Sequence, residues 1–356
     1  MSRDTAAAEV RECRVWHVRN SRLIRNGLLT NVQRTRPDSA PSRGPSTWTI
    51  TDGHAGNVRQ AQALATALAE PFRAWTLAPR TPWRWFAPRA LPGCSNAFGR
   101  TFKQAMRTPP SLAIGCGRQA GLATRLLRSR GARAVQILDP RIDTRHWDLV
   151  IAPEHDGLRG DNVISMIGSL NPVDDLWLAA GRHAFPDIGA LPGPRTTLLV
   201  GGASAHARFD DAMYDALLLN VERVARDEGG SVLATTSRRT PTHVAGALRD
   251  RLRGVPGLIW TDGADGPNPY AGLLAWADRI VCTADSVNML SEACATWAPV
   301  FVAGHERVEG RPRRFVESLL HTGRVRSFGD DAGRFAITPL RETARVAGEV
   351  RQRLAS

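Results

Sequence analysis

The residues best suited to chemistry lie in one segment, where a short, largely apolar run is followed by Asp285 and Ser286. The run, residues 279–283, has the character of a strand buried in a parallel sheet. Asp285 and Ser286 are of the types that cap helix N-termini, and small and apolar residues then continue at helical spacing over residues 287–295. The segment therefore predicts a strand, a tight polar turn and a helix.

Three polar side chains of this helix and its cap, Ser286, Ser291 and Glu292, are candidates for ligand contact. Open α/β sheets bind their ligands at the carboxyl ends of strands, which is where the turn falls. A helix N-terminus favours phosphate, and a carboxylate further along can accept hydrogen bonds from both hydroxyls of a ribose. An ordinary capped helix has the same local pattern, so the interpretation depends on the accompanying segments.

Two other turns of the second half carry residues suited to phosphate. Gly201 and Gly202 have no Cβ, so a phosphate can approach their backbone closely. Arg238 follows another apolar run and offers a guanidinium that can pair with a diphosphate. The residues predicted to bind a nucleotide sugar are Gly201, Gly202, Ser204, Ser237, Arg238, Asn268, Asp285, Ser286, Ser291 and Glu292.

Titratable residues of the first half are candidates for the base that deprotonates a hydroxyl acceptor. The predicted catalytic residues are Asp52, His54 and Glu154, and the predicted acceptor-side residues are Gly53, Gly56, His155 and Asp156. The alternative is that Asp52 and Asp156 bond within their own turns and that His54 is a solvated loop residue. Because no Asp-x-Asp motif is present, we expect no metal, and no cofactor apart from a nucleotide-diphosphate sugar as co-substrate.

Strands and helices alternate along most of the chain in two series. Strands are predicted at residues 47–51, 111–117, 134–139, 148–152, 162–167, 196–200, 231–236, 257–260, 279–283 and 299–302. Helices are predicted at residues 58–68, 118–129, 173–182, 210–228 and 287–295. A further helix is predicted after residue 241 and ends at residue 253. A link rich in proline and glycine separates the two series near residue 190.

This alternation predicts an α/β protein with two doubly wound, Rossmann-like domains facing a central cleft. That is the GT-B arrangement of glycosyltransferases, although alternation alone does not separate it from other paired Rossmann-like folds. The predicted domains are residues 47–190, on the acceptor side, and residues 191–356, which bind the nucleotide sugar and end in a helix. Residues 1–46 mix Arg with Ser, Pro and Asn without periodicity, which is typical of a disordered leader or a misassigned start.

Composition narrows the classes of partner. The chain has 356 residues and a net charge of +13, and Lys103 is its only lysine among 47 basic residues. So strong a preference for arginine indicates biased coding composition, and without a basic tail or a zinc-finger spacing we expect no nucleic-acid partner. The charge does predict attraction to anionic membranes and phosphorylated substrates.

The five cysteines form no C-x-x-C pair, which indicates reduced thiols in a cytosolic protein. No apolar run approaches the roughly 18 residues of a membrane-spanning helix, and no secretory signal is recognised. We therefore expect a cytoplasmic protein, peripheral at the inner face of the membrane.

One segment interleaves aromatic and basic residues: Trp83, Trp85 and Phe86 alternate with arginines. Such a segment can lie at a lipid headgroup interface, where each cation contributes about 1 kcal/mol near anionic lipid. The alternative is that the aromatic side chains pack into the core of the first domain.

Several segments, taken together and in order, resemble the Elm ("elongated mitochondria") family of mitochondrial-fission proteins. They are residues 51–57 (TDGHAGN), 135–141 (VQILDPR), 152–160 (APEHDGLRG), 235–241 (TTSRRTP), 268–270 (NPY) and 285–293 (DSVNMLSEA). The second half is also similar to GT-B enzymes of envelope synthesis, such as the peptidoglycan lipid-linked N-acetylglucosaminyltransferase. That similarity includes Ser291 and Glu292 and implies that Glu292 binds ribose.

These resemblances imply three hypotheses. The leading one is a GT-B glycosyltransferase that moves a sugar from a nucleotide-diphosphate sugar to a lipid-linked or envelope acceptor. A second is an adaptor without catalysis, because the plant founding member of the Elm family acts at the mitochondrial surface and recruits a dynamin-related GTPase. A third is a nucleoside-diphosphate-sugar epimerase of GT-B type.

Overall fold

A computed structural model describes residues 46–329 and 332–355. The predicted leader, residues 1–46, lies outside the described residues except for Ser46. The first half of the chain builds a six-stranded sheet in the order β2-β1-β3-β4-β5-β6, in which every pairing is parallel. Its strands are β1 (Thr47–Thr51), β2 (Phe72–Thr76), β3 (Leu112–Cys116), β4 (Arg133–Ile137), β5 (Leu149–Pro153) and β6 (Val163–Met166).

The second half builds another parallel six-stranded sheet, in the order β12-β11-β10-β7-β8-β9. Its strands are β7 (Arg195–Val200), β8 (Ser231–Thr236), β9 (Gly257–Trp260), β10 (Arg279–Thr283), β11 (Val300–Ala303) and β12 (Val325–Ser327). The edge strands β2 and β12 are not predicted by the hydrophobic pattern. Both carry an arginine, which an edge strand tolerates because one side of it needs no partner.

Helices connect the strands and cover the sheets, as parallel pairing requires. They are α1 (Ala55–Ala67), α2 (Trp83–Phe86), α3 (Gly99–Ala105), α4 (Arg118–Arg128), α5 (Asp175–Ala184), α6 (Pro186–Gly189), α7 (Asp211–Asp227), α8 (Thr242–Leu252), α9 (Tyr270–Ala275), α10 (Val287–Cys294), α11 (Gly310–His321) and α12 (Glu342–Ala355). The side chains of Asp174, Asp210 and Ser286 cap α5, α7 and α10. In the described part of the chain, no helix is both long and apolar enough to cross a membrane.

The central strand β10 is buried throughout even though it begins with Arg279, which is 5% exposed. The Arg279 guanidinium donates to Thr196 Oγ1 at 2.7 Å and to Glu228 Oε1 at 2.9 Å. A buried charge is tolerated only when it is paired and hydrogen-bonded. Arg279 therefore fixes the start of β10 without breaking the sheet.

Helices α5 and α12 each pack against the other half of the protein from the one in which their position in the chain places them. Helix α5 packs on α9, and a Cβ on its Gly181 would lie 2.7 Å from the carbonyl oxygen of Ala271. Helix α12 returns to the first half, where Val346 and Val350 join a core cluster with Leu64 of α1. The division at residues 190 and 191 assigns both helices by chain order, whereas burial of their apolar faces decides where they pack.

The strand order places a crevice in each sheet. The order reverses between β1 and β3 in the first sheet and between β7 and β10 in the second. Loops at the carboxyl ends of such neighbouring strands leave in opposite directions and open the crevice in which doubly wound sheets bind ligands. The predicted site residues near Asp52 and Asp285 follow β1 and β10 and therefore lie at these two positions.

Candidate functional site

The two sheets face each other across a cleft that α1 and α10 nearly close. A Cβ on Gly56 would lie 2.1 Å from Nδ2 of Asn288, and one on Gly168 would lie 2.3 Å from Oγ of Ser291. The backbone N–H of Ser169 donates to that same Ser291 Oγ at 3.1 Å. At Gly168, which has a φ of 73°, a side chain would be strained and would meet the other half, whereas at Gly56 the end of the Asn288 side chain would have to move.

Glu292 lies at the centre of the contact between the halves, with its side chain 2% exposed. Arg59 Nη1 donates to one carboxylate oxygen at 2.7 Å, and the Tyr270 hydroxyl donates to the other at 2.5 Å. The Arg59 guanidinium also lies 5.0 Å from the centre of the Tyr270 ring. Burial, followed by the charge of Glu292, raises the pKa of Tyr270 well above its usual value, so its hydroxyl stays protonated.

Asp285 is buried at the crevice of the second sheet. Its carboxylate accepts hydrogen bonds from Gly202 N at 3.2 Å and Thr283 Oγ1 at 2.7 Å, and Arg239 pairs with it at 2.5 Å. Burial raises the pKa of Asp285, although these partners oppose the rise. The amide of Gly201 donates to Thr283 Oγ1 at 2.7 Å, so the backbone donors of the glycine turn bond to protein acceptors.

Five other predicted residues of the second half occupy the surrounding turns. Arg238 is exposed, and within residues 46–329 and 332–355 it makes no ion pair. Ser237 Oγ lies 3.2 Å from Thr240 Oγ1, and Asn268 Oδ1 accepts from the N–H of Tyr270 at 2.9 Å. Ser204 is exposed and accepts from the N–H of His206 at 3.2 Å. Ser286 Oγ accepts from the N–H of Met289 at 3.3 Å and caps α10.

In the first half, Asp52 orders the turn after β1. Its Oδ1 accepts from Asn57 Nδ2 at 3.0 Å and from the N–H of His54 at 3.1 Å. Gly53 has a φ of 85°, a backbone conformation that favours glycine. The His54 side chain is exposed. The geometry of Asp52 is that of an Asx turn, the alternative weighed from the sequence.

The predicted residues after β5 have different environments. Glu154 is exposed, whereas the His155 side chain is 9% and the Asp156 side chain 5% exposed. Burial and the charges of Arg311 and Arg314 lower the pKa of His155 to about 4, so the imidazole is neutral at pH 7. Burial raises the pKa of Asp156 despite the attraction of Arg311.

Arg311 of α11 connects two acids of the first sheet. Its Nε lies 3.2 Å from Asp156 Oδ1, and its Nη2 lies 3.3 Å from Asp139 Oδ2. Asp139 also pairs with Arg141 at 3.4 Å. The second half thus contributes a cation to the turns that follow β4 and β5.

A cavity of about 330 Å³ lies between the halves at these turns. The residues that follow β3 to β6 form one wall, and the beginnings of α10 and α11 form the other. His155 and Asp156 are the predicted site residues that line it, together with Asn57, Gln60, Gly117, Arg118, Leu138, Asp139, Arg141, Pro153, Gly168, Ser169, Val287, Asn288 and Arg311. Asp52 and Asp285 lie beside it, in the crevices of the two sheets.

Four residues with central contacts were not predicted: Arg59, Arg239, Tyr270 and Arg311. Arg59 and Glu292 are 233 residues apart in the chain, so no local pattern pairs them. Tyr270 and Arg239 do fall in the segments that resemble the Elm family, which is the one available signal for them. Among the described residues, no three or more His, Cys, Asp or Glu side chains are grouped as metal ligands would be.

Comparison with known proteins gives both a family and a fold. A family model described as Mitochondrial fission ELM1 matches residues 55–354. The Arabidopsis thaliana "Mitochondrial fission protein ELM1" is 32% identical over 280 residues, which cover 69% of this chain and 64% of that protein. The chain therefore spans less than two thirds of that relative's length. The "Uncharacterized protein RP120" of Rickettsia prowazekii (strain Madrid E) is 23% identical over 352 residues and is covered over 96% of its length.

Among solved structures, the UDP-GlcNAc 2-epimerase from Methanocaldococcus jannaschii superimposes with a TM-score of 0.56 and 12% identity. The match covers 87% of this chain and 100% of the other. The structure of that epimerase in complex with UDP-GlcNAc and UDP superimposes with a TM-score of 0.52 and 12% identity, over 87% of this chain and 99% of the other. With the two parallel sheets, this likeness confirms the GT-B-like fold predicted from the sequence.

Proposed function

Because the chain belongs to the mitochondrial fission ELM1 family, we propose that it is a GT-B-type protein that binds a nucleoside-diphosphate sugar in its central cleft. The reaction proposed is transfer of the sugar to a hydroxyl group of an envelope or lipid-linked acceptor. The epimerase of the same fold has been solved with UDP-GlcNAc and UDP, which supports a ligand of this class.

The observation that carries the proposal is that the first turn of α10 lines the interdomain cavity through Val287 and Asn288. First-turn amides have no acceptor within their own helix, and the Ser286 side chain satisfies the amide of Met289. The amides of Val287 and Asn288 and the positive end of the helix therefore suit a diphosphate. His155 faces the same cavity from the first half, where an acceptor would lie.

The glycine turn after β7 has a different role in this proposal from the one predicted. Since Gly201 and Gly202 donate their N–H groups to Thr283 and Asp285, the diphosphate is held by α10 amides and not by these glycines. A Cβ on Gly201 would lie 1.9 Å from Asp285 Oδ1, so the glycine is required for packing. Arg238 is exposed and unpaired among the described residues, and it remains our proposed cation for the leaving diphosphate.

We propose that Glu292 binds ribose after it exchanges one of its present hydrogen-bond donors for the ribose hydroxyls. Arg59 and Tyr270 now occupy both carboxylate oxygens. Arg59 belongs to the first half and Glu292 to the second, so a small opening of the cleft frees the oxygen that faces Arg59. Ribose hydroxyls then replace the guanidinium as donors.

In the proposed transfer, an acceptor hydroxyl oxygen bonds to the anomeric carbon of the sugar. The bond from that carbon to the diphosphate breaks, and the nucleoside diphosphate leaves with the electron pair. The hydroxyl proton passes to a base. His54 and Glu154 are exposed, whereas His155 and Asp156 line the cavity. Because His155 resists protonation and burial raises the pKa of Asp156, we propose the Asp156 carboxylate as the base.

Calorimetry with a panel of nucleoside diphosphates and their sugars tests the proposal. We expect one nucleotide to bind, and Glu292→Ala to weaken its binding by about 1–3 kcal/mol through loss of a charged acceptor. Glu317→Ala, which removes an exposed glutamate of α11 paired with Arg313, is the matched control. Binding of no nucleotide overturns the proposal, and an unchanged affinity in folded Glu292→Ala removes Glu292 from the site. An epimerised donor formed without an acceptor would identify an epimerase.

The second candidate is an adaptor without catalysis. It is favoured because polar groups at the crevice of the second sheet already form their hydrogen bonds within the protein. Asp285 holds the Gly202 amide, and Glu292 is paired on both oxygens. A protein that keeps the fold only for recruitment needs no ligand in these places. Absence of turnover with every donor would support this candidate.

We also propose peripheral contact with anionic membrane through the segment around α2. Trp85 is 68% and Phe86 46% exposed, and Arg84 and Arg89 beside them are exposed too. Trp83 is half-buried and donates its indole N–H to the carbonyl oxygen of Pro92 at 3.2 Å. Two of the three aromatic side chains are thus available for lipid, and the third anchors the segment to the domain.

A further inference from the structure

Two buried side chains that line the interdomain cavity carry polar atoms without a hydrogen-bond partner among the described residues. These atoms are Oε1 of Gln60 and Oγ of Ser169, and both residues are 3% exposed. Gln60 uses its Nε2 to reach Asn288 Oδ1 at 3.4 Å, which leaves its carbonyl oxygen free. A buried polar atom without a partner costs about 1–3 kcal/mol, so two in one cavity indicate a ligand that supplies their partners.

The positive end of α4 lies in the wall of the same cavity, beside the carboxylate of Asp52, because a Cβ on Gly117 would lie 3.7 Å from Asp52 Oδ2. The cap residue, Gly117, has no side chain that could satisfy the first amides of the helix, and its φ of 89° turns the chain into the cavity wall. Gln136 fixes this turn by donating Nε2 to the Gly117 carbonyl oxygen at 3.1 Å. Arg118 follows, exposed and without an ion-pair partner in the described part of the chain.

Arg118 differs in this respect from the other two arginines of the cavity. Arg141 pairs with Asp139, and Arg311 pairs with both Asp139 and Asp156. Their charges are therefore compensated within the protein. The free guanidinium of Arg118 and the positive end of α4 together suit a phosphate group.

Resting on the proposed function and deepening it, we propose that the first-half side of this cavity, opposite α10, is the acceptor subsite and that the acceptor is a phosphorylated hydroxyl compound. Arg118 and the first amides of α4 bind its phosphate, and Gln60 Oε1 and Ser169 Oγ bind its hydroxyls. The cavity volume lies at the lower end of the range of about 300–1,000 Å³ for small-molecule sites. A free sugar phosphate and the headgroup of a lipid phosphate both present this chemistry.

Calorimetry on the full chain with inorganic phosphate, glucose 1-phosphate and glucose tests the assignment. We expect both phosphates to bind, and Arg118→Gln to weaken both by about tenfold or more, as loss of a charged hydrogen bond implies. Ser169→Ala should weaken glucose 1-phosphate alone, because inorganic phosphate does not reach the hydroxyl-binding side. Arg107→Gln removes an exposed arginine that does not line the cavity and should leave both affinities unchanged.

Two outcomes overturn the assignment: failure of both phosphates to bind, or equal losses in Arg118→Gln and Arg107→Gln, which would indicate attraction by net charge. Titration of UDP into the same samples tests the donor proposal separately from the acceptor subsite. UDP binding without phosphate binding overturns the acceptor subsite alone. Phosphate binding that depends on Arg118, without any nucleotide binding, overturns the donor proposal alone.

Vesicles distinguish the two sources of the phosphate. Sedimentation with phosphatidylcholine vesicles containing phosphatidic acid, a lipid phosphate monoester, is compared between the wild type and Arg118→Gln. A loss of vesicle binding in Arg118→Gln assigns a lipid phosphate. Equal vesicle binding, together with a weakened glucose 1-phosphate affinity in Arg118→Gln, assigns a free sugar phosphate.

Discussion

Arg59 of α1 and Glu292 of α10 form an ion pair across the cleft, with Nη1 and Oε1 2.7 Å apart. The glutamate is buried and the arginine side chain is 43% exposed, so the contact joins the solvated side of one half to the interior of the other. Tyr270 holds the second carboxylate oxygen at 2.5 Å within the second half itself. Opening of the cleft therefore breaks the bond to Arg59 and keeps the one to Tyr270.

This pair should stabilise the closed arrangement measurably. Glu292→Gln should lower the free energy of unfolding by about 1–3 kcal/mol, because Arg59 and the Tyr270 hydroxyl lose a charged acceptor. Arg59→Met and the double variant complete a double-mutant cycle, measured by urea denaturation. Single effects that add to within about 0.3–0.5 kcal/mol would show that the pair contributes no coupling.

Arg238 and Arg239 are adjacent, but the structure predicts that replacing Arg239 lowers stability and that replacing Arg238 lowers catalysis. Arg239→Ala leaves the buried Asp285 carboxylate without its cation, so we expect a loss of about 1–2 kcal/mol in stability, moderated by the partial exposure of Arg239. Arg238→Ala should leave the melting temperature unchanged and lower kcat more than it weakens donor binding, because charge accumulates on the departing diphosphate. Equal losses in donor affinity and kcat/KM with kcat intact would make Arg238 a binding residue only.

His155 should make the protein sensitive to acid. Its folded-state pKa, about 4, lies below its ordinary value of 6.5, so the folded state resists protonation and the unfolded state does not. The contribution of His155 to stability is therefore complete above pH 6.5 and declines as the pH falls towards 4. Urea denaturation across this range should show a smaller decline for His155→Gln than for the wild type. Parallel curves for the two proteins would contradict the burial of a neutral imidazole.

Membrane contact should depend on the exposed aromatic side chains of α2. Replacing Trp85 and Phe86 together by serine should reduce binding to anionic vesicles and leave the fold intact, because Trp83 remains in place. Leu219→Ser, at another exposed apolar side chain on α7, is the control. Wild-type binding should weaken as salt rises, since headgroup attraction is screened within about 8–10 Å at physiological ionic strength. Equal binding by the double variant and the control would leave net charge as the only basis for association.

Local patterns determine the individual elements of this chain. The bounds predicted for residues 47–51, 231–236, 257–260 and 279–283 coincide with β1, β8, β9 and β10. Hydrophobic periodicity, caps and glycine turns act over a few residues, so the sequence also places the candidate turns at strand ends and predicts the paired sheets. The contact of the turn residue Asp52 is also local, because its side chain bonds to Asn57, five positions away in the chain.

The tertiary structure decides which of these turns meet and what their groups bond to. The sequence alone does not distinguish Arg238 from Arg239 as the partner of Asp285, nor does it show that the amides of Gly201 and Gly202 bond to protein acceptors. Contacts such as Arg59 to Glu292 join residues 233 positions apart. Pairings of this kind arise because burial of apolar faces, including that of α12 on the first sheet, fixes one relative position of the two halves. That position depends on the packing of many side chains at once and has no local pattern in the sequence.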